Sequence, residues 1–74
     1  MATSIAFFVR QRRKLLQLTQ PDLAAKAGVG LRFVRELEQG KTTLRLDKIN
    51  LVLRLFGHEV APAPLDRTQL LAEE

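Results

Sequence analysis

The side chains able to do chemistry are few in this chain. It has one histidine, His58, one serine, Ser4, and no cysteine or tyrosine among its 74 residues. A nucleophile needs a base beside it and a metal needs several converging ligands; a single histidine supplies neither. The acids are scattered and pair with no nucleophile or phosphate loop. No catalysis, metal or cofactor is therefore expected, and the lack of thiols excludes a disulfide framework. Arginine, by contrast, stands at a useful spacing. In "GLRFVRELEQGKTT", Arg32 and Arg35 lie three apart, and Glu36 follows Arg32 by one helical turn. A guanidinium can give a guanine edge two hydrogen bonds or can hold a phosphate. These residues suit recognition of a polyanion rather than the breaking of bonds.

The charge distribution agrees. Residues 1–57 carry 11 Lys or Arg against 4 Asp or Glu, whereas residues 58–74 carry one Arg against 4 acids. A basic body with an acidic tail suggests a polyanionic partner for the body, although a merely soluble surface would show the same sign. The length allows one domain with a small core, which gains stability readily by dimerising. The N-terminal "MATSIAFFVRQRRK" has its basic residues after a short apolar run, so no signal peptide is expected, and no run approaches a membrane span. A cytoplasmic location is the expectation.

Helices must present the arginines. "TSIAFFVRQRRKLLQL" reads as a first helix capped by Thr3 or Ser4, with Ile5, Phe8, Val9 and Leu16 as its core stripe. Phe7 projects off that stripe and is expected to pack on the fourth helix or tail. "LTQPDLAAKAG" is a second helix: Thr19 and Asp22 form a capping box, Pro21 fits the first turn, and Gly28 stops the helix. "GLRFVRELEQG" is the third. At about 100° per residue, Phe33, Val34 and Leu37 share one sector, opposite Leu31, Arg32, Arg35, Glu36 and Gln39. "TTLRLDKINLVLRLFG" predicts a fourth helix from about Thr43 to Gly57, burying Leu46, Ile49, Val52, Leu53 and Phe56. Leu51 and Leu55 widen its apolar surface beyond one stripe, which points to a second partner. In "HEVAPAP", Val60 suits a brief extended segment that Pro62 and Pro64 confine to an edge. The closing "LDRTQLLAEE" is either a frayed amphipathic turn or a disordered tail.

Two short helices joined by a glycine turn make a helix-turn-helix, in which the second helix enters the major groove. "LTQPDLAAKAGVGLRFVRELEQGKTT" resembles the Xre-type helix-turn-helix of phage repressors and bacterial regulators. The marks are Thr19-Gln20, Leu23-Ala24, Gly28-Val29, Val34, Leu37-Glu38 and Gly40-Lys41, within a match of roughly residues 5–57. "TTL" leading into the fourth helix, then "HEV", is similar to HipB-like antitoxins, which pair with HipA-type kinase toxins. The fold class implied is all-α, a small four- to five-helix bundle of lambda-repressor-like type with a short C-terminal extended segment. The division implied is a DNA-binding domain at 1–57 and a dimerisation strand with tail at 58–74.

Roles follow on that resemblance. Leu31, Arg32, Arg35 and Glu36 face the major groove, Leu31 toward a thymine methyl. Glu36 either accepts from a cytosine amine or orients Arg32. Thr19, Gln20, Gln39, Lys41 and Thr42 hold phosphates. Arg13 and Glu38 match a family ion pair with a structural role. Leu51, Leu55, His58, Glu59, Val60 and Ala61 form a dimer surface, His58 standing beside the strand. The partners implied are double-stranded DNA bearing a palindrome, a second copy of the chain, and a HipA-like kinase toxin; no membrane is implied. Other readings stay open. The arginines could be a solvated face, "RQRRK" could be a nuclear or membrane-binding signal, and the chain could be an interaction module with little affinity for DNA.

Overall fold

A computed structural model describes residues 4–65. Thr3 and the tail from residue 66 onward, on which a cap and a frayed turn were expected, lie outside the described residues. Four helices follow in order: α1 (Ile5–Leu15), α2 (Gln20–Ala27), α3 (Leu31–Glu38) and α4 (Leu46–Arg54). No strand occurs among the described residues, so the fold is all-α. Residues 58–65 run on without regular structure.

Each helix is started and stopped by identifiable chemistry. The Ser4 hydroxyl oxygen accepts the Phe7 N–H at 3.2 Å and so opens α1. On α2, Asp22 N–H donates to Thr19 Oγ1 at 3.1 Å, and Thr19 N–H donates to Asp22 Oδ2 at 3.0 Å, completing a capping box. The Thr19 N–H above all, then the Thr19 hydroxyl, holds the Asp22 carboxyl below its ordinary range. Gly28 closes α2 at φ 74°, a left-handed conformation that glycine adopts without strain. The end of α1 makes the same kind of turn without glycine. Gln17 sits at φ 56° while the N–H of Leu18 reaches the Arg13 carbonyl at 3.0 Å.

The core is built by all four helices: Val9 from α1, Leu23 and Ala24 from α2, Val34 and Leu37 from α3, and Val52 and Leu53 from α4. Ala24 is small enough for α3 to approach α2 closely, and α2 and α3 pack directly on one another among the described residues. Phe8, Leu44, Ile49, Phe56 and Val60 pack around this centre. Asn50 fixes the chain after α4, its side-chain oxygen accepting the Val60 N–H at 2.8 Å.

Several expectations are corrected. The fourth helix begins at Leu46 rather than near Thr43. Leu46, expected inside, is exposed: a first-turn side chain leans back past the helix start, away from the core. Leu16 is exposed as well, because α1 has ended by that point and the chain turns at Gln17. Ile5 lies at the exposed margin of the core stripe, and Phe7, expected to be packed, is 53% exposed. Within the single described chain no strand forms beside His58; its ring lies 4.6 Å from that of Phe8 and its Nδ1 is 2.6 Å from the Phe56 carbonyl oxygen.

Candidate nucleic-acid interface

α3 divides sharply into two faces. Val34 and Leu37 are buried and Phe33 packs against them, which fixes the helix to the body. Arg32 and Arg35 point to solvent, and the Arg32 side chain is 92% exposed. Leu31 is half-buried against the core, so only part of it remains open to a partner. Gly30, with no side chain to cap the first turn, leaves those N–H groups free toward solvent.

Glu36 is the centre of the exposed face. Its Oε1 lies 3.2 Å from Arg32 Nε, and its Oε2 accepts a hydrogen bond from Lys41 Nζ. The Lys41 bond above all, then the charge of Arg32, holds the Glu36 carboxyl below its ordinary range. Lys41 reaches it because Gly40 turns the chain at φ 84°, and the Lys41 N–H bonds the Glu36 carbonyl at 3.1 Å. Gln39 and Thr42 flank this turn and are exposed.

Glu38 faces the other way. It is buried, and Arg13 meets it with Nε to Oε2 at 2.7 Å and Nη2 to Oε1 at 3.0 Å. Arg13 also donates to the Leu18 carbonyl at 3.0 Å. The hydrogen bonds to Glu38 raise the Arg13 pKa against the opposing effect of burial. Gln20 Nε2 donates to Glu38 Oε1 at 3.2 Å, which commits one amide hydrogen to the interior and leaves the other for an outside acceptor. Thr19 is likewise engaged in its capping box. Arg10 joins the group from α1, donating to the Glu38 carbonyl at 2.6 Å and satisfying the end of α3. Sequence reasoning missed Arg10 and the inward turn of Gln20. The signal available for Arg10 was its position three residues before Arg13, on the same face of α1.

The residues expected at a dimer surface are open to solvent to different degrees. Leu51 on α4 and Leu55, which caps its end, are 39% and 42% exposed, His58, Glu59 and Ala61 are exposed, and Val60 is half-buried. No three His, Cys, Asp or Glu converge as metal ligands among the described residues. No helix among them is long and apolar enough to cross a membrane.

A helix pair closed by a glycine turn, with the second helix anchored on one side and basic on the other, defines a DNA-docking module. The helix-turn-helix family model matches residues 9–60. An uncharacterised HTH-type transcriptional regulator of Sinorhizobium fredii, y4mF, is 47% identical over 53 residues, covering 72% of this chain and 70% of that protein. The chain belongs to the helix-turn-helix family of Xre-type transcriptional regulators, a class that acts by binding DNA rather than by catalysis.

Proposed function

We propose that this regulator is a sequence-specific repressor that binds a palindrome as a homodimer. The observation carrying the proposal is the split of α3: Val34 and Leu37 hold the helix while Arg32 and Arg35 stand open to solvent beside an uncapped helix start. Leu31, Arg32, Arg35 and Glu36 read base edges. Thr19, Gln20, Gln39, Lys41 and Thr42 hold phosphates at the two ends of the motif. One short helix in one groove gives little affinity, so two copies set their recognition helices about 34 Å apart on successive turns. The exposed Leu51 and Leu55, with His58 to Ala61 beside them, form the proposed contact between copies. Enrichment of bound sequences from random duplex DNA tests the whole reading. A palindrome with that half-site spacing is expected; no enriched sequence, or a monomer at micromolar concentration, overturns it.

The finer reading is an antitoxin that restrains a HipA-type kinase toxin. Its support is the layout of "TTL", the fourth helix and "HEV". Residues 58–65 form no strand within the single chain, so the strand pairing this reading includes must arise between copies. Recovery of a kinase with the tagged regulator is the expected result, and its failure leaves a repressor without a toxin.

A further inference from the structure

We propose that Glu36 restrains sequence-independent binding and is thereby a specificity-determining residue; the inference rests on the DNA-binding role proposed above. One carboxylate holds two cations of the interface at once, Arg32 at 3.2 Å through Oε1 and Lys41 through Oε2. The arrangement is built by the backbone as well as the side chains. The left-handed turn at Gly40 brings Lys41 back over the last turn of α3, where its N–H bonds the Glu36 carbonyl at 3.1 Å. The three groups differ in exposure: side-chain values are 92% for Arg32 and 48% for Lys41 but 22% for Glu36. The acid therefore stays tucked between its partners while the outer faces of both cations meet solvent.

This geometry has two electrostatic consequences. Any phosphate that recruits Arg32 or Lys41 must compete with a carboxylate already in contact, so random duplex gains less from these cations than it would from free ones. A base edge that offers a donor has the opposite effect. A carboxylate has about four acceptor positions, so oxygens each engaged once can still accept from a cytosine or adenine amine. Duplexes presenting only acceptors at that place meet a negative charge. Arg35, which has no such acid beside it among the described hydrogen bonds and ion pairs, is the arginine free to bind irrespective of Glu36.

The test compares wild type, Glu36→Gln, Lys41→Gln and the double variant on random duplex and on the selected site, across a salt series. Freeing two cations steepens the salt dependence on random duplex by up to about 1.8 in log–log slope, or roughly tenfold in affinity between about 50 and 200 mM salt. In the Lys41→Gln background the same change frees only Arg32, and the gain falls to about half. The ratio of selected-site to random affinity is expected to drop in Glu36→Gln. An unchanged slope and ratio, in a variant whose circular dichroism matches wild type, overturns this inference and leaves the repressor reading intact. A gain of the same size with and without Lys41 shows a general charge effect and also overturns it. Wild-type protein without salt-dependent DNA affinity overturns both.

Discussion

Glu36 and Glu38 stand two residues apart on α3, and each holds an arginine, yet they do opposite work. Glu38 is 3% exposed, and the side chain of its partner Arg13 is 13% exposed. There the carboxylate accepts from Arg13 and Gln20 and the Glu38 backbone carbonyl accepts from Arg10, so the residue ties α1, α2 and α3 into one body. Glu36 faces solvent and holds Arg32 and Lys41, both of which keep an open side. The residue types are the same, and the helix face decides. A buried pair that loses one partner strands a charge in a poor solvent, whereas an exposed pair that loses one is rehydrated. The first arrangement therefore serves the fold and the second is free to serve a ligand.

The largest expected effect follows from stranding that charge. Glu38→Ala leaves Arg13 with the Leu18 carbonyl as its remaining acceptor and should lower unfolding stability by about 3 kcal/mol, read from urea midpoints. A loss below about 1 kcal/mol would place the pair with ordinary surface bridges and erase the contrast. Next in size, Arg35→Ala should cost about 1–3 kcal/mol in binding to a selected site while the urea midpoint stays in place. A shifted midpoint with unchanged affinity would assign Arg35 to the fold instead.

Gln20 sharpens the comparison because it touches both sides of the boundary. Gln20→Ala removes one hydrogen bond to Glu38 and should lower stability by about 1 kcal/mol. If its second amide hydrogen also holds a phosphate, affinity should fall alike on selected and random duplex with the salt slope unchanged, because a neutral amide releases no counterion. Stability lost with both affinities unchanged would confine Gln20 to the interior.

The smallest effect concerns pH. The Glu36 carboxyl is depressed chiefly by the Lys41 hydrogen bond. A depressed acid contributes stability that is complete above its unfolded value and disappears as pH falls through its folded value. Wild type and Glu36→Gln should therefore differ slightly near neutrality and converge in the acid range. Urea midpoints that keep a constant difference down to about pH 2 would show that the substitution acts through something other than ionisation.

Much of this was legible beforehand. The capping box of Thr19 and Asp22, the stop at Gly28, and the sector of Phe33, Val34 and Leu37 all depend on neighbours within one helical turn. The pairing of Arg32 with Glu36 is of the same kind, since residues four apart meet on a helix face. The membership of Lys41 in that cluster was not legible. It depends on the left-handed turn at Gly40, which sets a direction in space that spacing along the chain does not specify.

The late start of α4 and the exposure of Leu16 and Leu46 show the same boundary from the other side. Apolar character and helical spacing marked both leucines as core. Neither lies inside, because Leu16 falls past the end of α1 and Leu46 stands in the first turn of α4, so position in the helix as well as period decides burial. Hydrophobic period, caps and breakers are local interactions, so the amino-acid sequence by itself determined the four helices, the glycine turn and the two faces of α3. Only the tertiary structure decided that Glu38 would be enclosed by side chains from α1 and α2 while Glu36 stayed at the surface. Dielectric environment is a property of everything packed around a charge, and those groups are brought together by the fold rather than by their order in the chain.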